Sequence, residues 1–192
     1  MNAVLRGTAV LTDPATEWTR IAREPGDAAY LLSGYVALLA LIPAVSGFLG
    51  TCVIGAVVPG VGTVRTPVFD GVLAMIFGYV ATFAQVLLVG LLIDVLAPLF
   101  GGRRDFTGAL KLAVYSFTPV WLTGVFLLLP GLNFLTLTGL YGAYLLIKGL
   151  PVLMKSPAPR TQLYGTIVVV FAGLLMLLTF VAQRALFGPG AM

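Results

Sequence analysis

Long apolar runs, separated by short charged or Pro/Gly-rich segments, organise the whole chain. No charged residue occurs from Ala28 to Val64, where Arg65 and Asp70 follow. The next run extends from Gly71 to Ile93, meets Asp94, and stays apolar to Phe100. The stretch Gly101-Gly102-Arg103-Arg104-Asp105 reads as a charged turn. Leu112 to Leu129 is the third run and stops at Pro130-Gly131, a strong turn signal. Asn133 to Ile147 is the fourth; it meets Lys148 and continues to Met154. A polar, proline-rich loop, 155–160, precedes the last run, Gly165 to Ala182. A bilayer core of roughly 30 Å takes about 20 predominantly apolar residues per helix. The pattern therefore predicts an all-α, polytopic transmembrane bundle of five spans. A transmembrane β-barrel is excluded, because its strands alternate apolar and polar residues.

The first run is too long for one upright helix and short for two spans with a turn. Pro43, Pro59, Gly55, Gly60 and Gly62 predict a helix to about Gly50 and then an irregular segment at the far interface, with 51–64 open between a helix extension and a re-entrant segment. Upstream, 11–24 reads as a short amphipathic helix. Asp13 is suited to cap it and Pro14 to occupy its first position. Leu11, Ala15, Trp18 and Ala22, with Ile21 adjoining, form an apolar stripe opposite Thr16, Glu17, Arg20 and Arg23. Such a stripe predicts a membrane-lying anchor in which Trp18 and Ile21 sit at the headgroups. A docking element for a cytoplasmic partner is the other reading. The expected organisation is a lead over 1–27, a five-helix domain over 28–186 and a short tail over 187–192.

Composition agrees with the span pattern and narrows the chemistry. Only 9% of the residues are charged, against roughly 25% in a soluble domain. There is no histidine and one cysteine, Cys52. Imidazole proton transfer and a Cys-x-x-Cys pair are therefore absent, and no metal site or cofactor is expected. Charge also orients the spans. With five spans and the amino terminus in the cytoplasm, that side holds Arg6, Arg20, Arg23, Arg103, Arg104, Lys111, Lys148, Lys155 and Arg160. The outer side holds Arg65 and Arg184. This positive-inside bias puts the amino terminus in and the carboxyl terminus out. Splitting the first run into two spans would disperse the bias. The first helix reads as an anchor rather than a cleaved leader, since the lead carries acidic residues and no adjoining h-region. The net charge of +4 suits anionic lipid, and the dispersed cations argue against nucleic acid.

Ionisable residues inside spans each require an explanation. Asp94 and Lys148 fall at similar depth on the second and fourth helices, which allows an Asp94–Lys148 pair. Gln85, mid-span on the second helix, would extend a polar path or serve as interhelical glue. The third helix carries Tyr115-Ser116-Phe117-Thr118-Pro119. Pro119 should kink it, with the Ser116 and Thr118 hydroxyls bonding nearby carbonyls. Ser116 lacks a histidine or nearby lysine to act as base, so a nucleophile is not expected there. On the fourth helix Gly139, Gly142 and Ala143, beside Tyr141 and Tyr144, predict close helix packing.

These residues carry a family resemblance. Leu11-Thr12-Asp13-Pro14 with Trp18 and Ile21, then Phe100-Gly101-Gly102 and its basic continuation, resemble the bacterial branch of the Yip (Ypt-interacting protein) family. So do 113–119, Gly139-Leu140-Tyr141, Tyr144-Leu145-Leu146 and 148–155. The resemblance implies five spans with a cytoplasmic amino terminus, in a bacterial cytoplasmic (inner) membrane. Eukaryotic members are associated with Rab-type GTPases and membrane traffic; with no long cytoplasmic amino-terminal domain expected ahead of the first span, that role is not expected to carry over intact. The family offers no catalytic residues to transfer. The expected function is a non-enzymatic membrane scaffold or adaptor. The alternative is a channel or transporter with a cytoplasm-facing polar cavity around Asp94 and Lys148. Expected partners are the lipid bilayer and, through the small-residue faces, a second copy of the chain or other membrane proteins.

Overall fold

The structure is a computed structural model that describes residues 3–58 and 60–187. Pro59 and all of the expected tail beyond Phe187 lie outside the described residues. Two short helices, α1 (Ala3–Thr12) and α2 (Pro14–Arg23), precede the spans. Five helices long and apolar enough to cross a membrane follow: α3 (Tyr30–Ile54), α4 (Val68–Phe100), α5 (Phe106–Leu128), α6 (Pro130–Leu153) and α7 (Ala158–Phe187).

The first apolar run resolves as one span plus a hairpin. Helix α3 reaches Ile54, beyond the expected end near Gly50, and both its ends are wound as π-helix, Tyr30–Val36 and Leu49–Ile54. Gly55, at φ 81°, stops it in a conformation that disfavours residues with a Cβ. The expected irregular segment is an antiparallel hairpin, β1 (Ala56–Val58) against β2 (Gly62–Val64), with Val57 opposite Thr63. The hairpin closes some of the backbone hydrogen bonds that an irregular stretch at a membrane boundary would leave open.

Helix α5 is the centre of the bundle and is mostly buried, whereas α7 is mostly exposed along its outer face. Helix α4 packs on α3, α5 and α7, while α5 packs on α3 and α6, and α6 packs on α7. The core includes Val86, Val89 and Ile93 of α4, Leu110, Leu112 and Val114 of α5, and Leu145 and Leu150 of α6. Many other large apolar side chains, such as Leu99, Leu137 and Leu178, remain exposed. In a spanning bundle that exposed surface faces acyl chains.

The third span breaks where proline requires it. Helix α5 is α-helical to Ser116, turns at Phe117, resumes from Thr118 and tightens to 3₁₀ from Gly124. Helix α6 begins as a long 3₁₀ stretch, Pro130–Leu140, before becoming α-helical at Tyr141. Within it the Thr136 and Thr138 hydroxyls donate to the carbonyls of Asn133 and Leu135, each at 2.6 Å. These i to i−3 bonds match the tighter winding.

The interhelical turns at the lead's end are tied together. The Arg103 N–H donates to the Met154 carbonyl at 2.8 Å, joining the α4–α5 turn to the α6–α7 turn.

Candidate functional site

The polar residues gather where α1 and α2 fold over the end of the bundle. Helix α2 starts as its sequence dictates: the Asp13 carboxylate accepts from the Thr16 N–H at 3.3 Å, with Pro14 in the first turn. Its far end is capped from another helix. The Lys111 ammonium of α5 donates to the carbonyls of Ile21, at 3.1 Å, and Glu24, at 2.6 Å. A cation there meets both the unpaired carbonyls and the negative end of the helix dipole. Arg6 of α1 reaches across to bond Glu17 and Glu24, tying α1 to α2 and its C-cap. Arg6 and Glu17 are both buried. Burial works against the Arg6 charge, but the bonds to Glu24 and Glu17, with Tyr115 nearby, outweigh it and raise the pKa above the ordinary arginine value.

Aromatic rings form the floor beneath these ions. The Arg6 guanidinium lies 5.9 Å from the centre of the Tyr115 ring. Tyr115 meets Tyr35 edge-on at 4.9 Å and Trp18 at 6.4 Å. The Tyr35 hydroxyl is hydrogen bonded to that of Thr118 at 2.9 Å. Between α2 and the first turns of α3 and α5 lies a cavity of about 280 Å³. Arg6, Arg20, Glu24, Asp27 and Lys111 supply its charged lining, and Leu31 and Tyr35 are among its less polar walls.

Several expected site residues are placed differently. Asp94 is buried, but its Oδ2 pairs with Arg104, 3.1 Å from Nη2 and 3.2 Å from Nε, instead of with Lys148. Lys148 is exposed, its ammonium 5.6 Å from the Tyr144 ring centre. Equal depth does not fix azimuth: Gly142, Leu145, Leu146, Gly149, Leu150 and Leu153 form the buried stripe of α6, and Lys148 projects from the opposite side. Gln85, by contrast, makes the interhelical bond that is one of its two expected roles: it faces α7 and donates to the Thr179 hydroxyl at 2.6 Å. Ser116 Oγ is buried with no hydrogen-bond partner, and Thr118 bonds a tyrosine rather than a carbonyl. The break falls at Phe117, with Pro119 opening the helical segment that follows.

The amino-terminal stripe is covered by protein at Trp18 and Ile21, whereas Ala15 and Ala22 are exposed and Glu17, expected on the polar side, is buried. Trp18 and Ile21 are almost fully buried, with α2 lying along α6. An added Cβ on Gly149 would stand 2.9 and 3.0 Å from Trp18 Cε2 and Cδ2. The expected membrane-lying anchor is therefore a helix docked on the bundle, because the glycine of α6 leaves a slot that an indole fills. The small residues at 139 and 142 likewise serve internal packing: a Cβ on Gly139 would lie 3.1 Å from Val120 Cα, and one on Gly142 would collide with the Ser116 carbonyl. Tyr141 donates to the Leu11 carbonyl at 3.2 Å and stacks on Tyr144 at 5.3 Å.

Sequence reasoning missed Arg6, Glu17, Glu24, Lys111 and Tyr35 as a cluster. Arg6 belongs to α1, a helix that the polar pattern did not announce, and Lys111 read only as a loop cation. The i,i+4 spacing of Arg20 and Glu24 was the available signal, and their charged groups do approach to 3.9 Å. The arrangement offers cations and carboxylates around a partly enclosed space, which suits binding of a charged group. Among the described residues no cluster of three or more His, Cys, Asp or Glu side chains is arranged to hold a metal.

The sequence pattern of the Yip1 domain matches residues 8–180. Comparisons with curated proteins and with solved structures give no match.

Proposed function

The chain belongs to the Yip1-domain family of integral membrane proteins, and from that membership we propose that it is a non-enzymatic membrane scaffold or adaptor. It works through helix packing and through lipid and protein contacts. We place it in a bacterial inner membrane with its amino terminus in the cytoplasm, supported by the basic residues gathered at the lead's end of the bundle.

One observation carries the scaffold reading: polar side chains within the spans are used to fasten helices to each other. Gln85 bonds Thr179, Gln183 bonds the Ala74 carbonyl at 2.7 Å, and Tyr79 bonds the Ala37 carbonyl at 3.0 Å. Tyr164 bonds the Ile93 carbonyl. Such bonds give a fastened bundle a fixed outer surface to present. They work against a water-filled path, whose polar lining would have to be shared with solute.

Passage of a small solute or ion is the second reading. It keeps one observation in its favour, the buried Asp94 Oδ1 that has no hydrogen-bond partner. Thiol accessibility separates the two. In a Cys52→Ala background, single cysteines at 85 and 94 are exposed to a membrane-impermeant reagent from each side of sealed proteoliposomes. The scaffold reading expects both to stay inert while the protein remains folded. Labelling at both positions from one side would replace it with transport.

A further inference from the structure

We propose that the cavity between α2 and the first turns of α3 and α5 is a lipid headgroup site, taking a phosphate ester that carries a primary ammonium: the phosphoethanolamine group of a bilayer lipid. Its level in the fold comes first. Tyr30 and Leu31 open the span α3, and Lys111 lies five residues into α5. At 1.5 Å per residue this is about 7 to 8 Å from the start of that span, the depth of headgroups and the upper acyl boundary. A ligand entering here comes from the adjoining leaflet.

The chemistry of the lining comes second. Arg6, Arg20 and Lys111 face the space together with Glu24 and Asp27. A simple anion would meet two carboxylates, and a simple cation would meet three basic groups. A zwitterion satisfies both sets. Lys111 is buried, and its ammonium gives two of three donors to the Ile21 and Glu24 carbonyls. Arg20 is held only loosely, 4.0 Å from Glu17 and 3.9 Å from Glu24, with more than half of its side chain exposed. These two are the phosphate donors. Glu24 and Asp27 accept from the ammonium. A quaternary choline has no N–H to offer them, and a glycerol headgroup has no cation.

Size is the third point. About 280 Å³ falls just below the usual range for drug-sized ligands. It suits a headgroup, leaving the acyl chains outside along the exposed apolar surface of the spans. The inference needs the membrane placement but not the scaffold role, so its failure leaves the scaffold reading standing.

The test is native mass spectrometry of the full chain released from nanodiscs, titrated with phosphatidylethanolamine, phosphatidylcholine or phosphatidylglycerol. Phosphatidylethanolamine should be retained at about tenfold lower concentration than the other two, as expected for losing one charge-assisted contact. Arg20→Gln and Asp27→Asn should each abolish that preference, and Arg20→Lys should restore part of it. Asp27→Asn keeps the side-chain oxygen that accepts from the Tyr30 N–H at 3.0 Å, so the start of α3 is preserved. Equal retention of the three lipids, or an unchanged preference in both folded variants, would overturn the proposal. Displacement of the lipid by micromolar free phosphoethanolamine would overturn its assignment to the bilayer.

Discussion

Gly149→Ala tests the docking of the lead onto the bundle. The new methyl would stand 2.9 and 3.0 Å from two ring carbons of Trp18 and would also crowd Leu112. Carbon atoms at rest sit about 3.5 to 4.0 Å apart, so the indole has to withdraw by roughly 0.5 to 1 Å. Overfilling a packed site costs about 1–3 kcal/mol. Replacing glycine by alanine inside a helix returns about 1 kcal/mol. The net effect is destabilisation by about 0–2 kcal/mol. Gly173 of α7 supplies the control: nothing lies within 4 Å of its added methyl, so Gly173→Ala keeps only the favourable term. The two variants should therefore differ by about 1–3 kcal/mol, or roughly 2–12 °C in Tm for a domain of this size. Cys52, the only cysteine and buried, reports unfolding through a fluorogenic thiol reagent in detergent micelles. Quenching of Trp18 by brominated acyl chains, in a Trp121→Phe background, adds a local readout. It should be weak in the parent and stronger in Gly149→Ala. Equal Tm values for the two alanine variants would refute the tight slot, and strong quenching in the parent would put Trp18 in lipid.

Breaking the Asp94–Arg104 pair should be asymmetric. Arg104→Gln strands a buried carboxylate and should cost about 1–3 kcal/mol in the same thermal assay, whereas Asp94→Asn frees an arginine whose side chain is 61% exposed and should cost less. Arg6→Gln should release α1, read as faster hydrogen exchange over 3–12, because Glu17 and Glu24 lose their shared cation. The raised Arg6 pKa means its contribution is complete below the unfolded arginine value and is lost only above it. Exchange over 3–12 corrected for intrinsic rates should therefore show no release attributable to Arg6 between pH 6 and 9. Tyr35→Phe and Thr118→Val should each cost about 1 kcal/mol, and the double variant little more than either, since both remove the same buried bond.

The span pattern was legible because lipid leaves no alternative: a long apolar run must satisfy its own backbone, and only helices do so here. The Asp13-Pro14 start of α2 was equally plain, since capping is a local matter. What covers an apolar stripe is not local. Trp18 and Ile21 fit a headgroup region and a protein slot equally well, and the slot depends on Gly149, far along the chain. The Asp94–Lys148 pairing failed for a related reason. Residue spacing gives depth along a helix, while the partner is chosen by rotation about it, and the small-residue stripe through Gly142 and Gly149 sets that rotation in α6. Arg6 was illegible because α1 has no strong polar periodicity; its helix is anchored by ion pairs to α2.

The same slot bears on how the chain is made. Tyr141 closes onto Leu11 across 130 residues of sequence, and Trp18 waits for Gly149 in the same span. At about 5–20 residues per second, synthesis separates the two sides of that contact by roughly 6 to 26 s. During this interval the growing chain has an amphipathic α2 but no α6 to receive it, so the bilayer surface is the available cover for its indole. The lead is then a surface-bound segment of the nascent chain that exchanges lipid for protein once the fourth span is inserted. Docking of α2 thus becomes possible once α6 is in place, with one span, α7, still to follow.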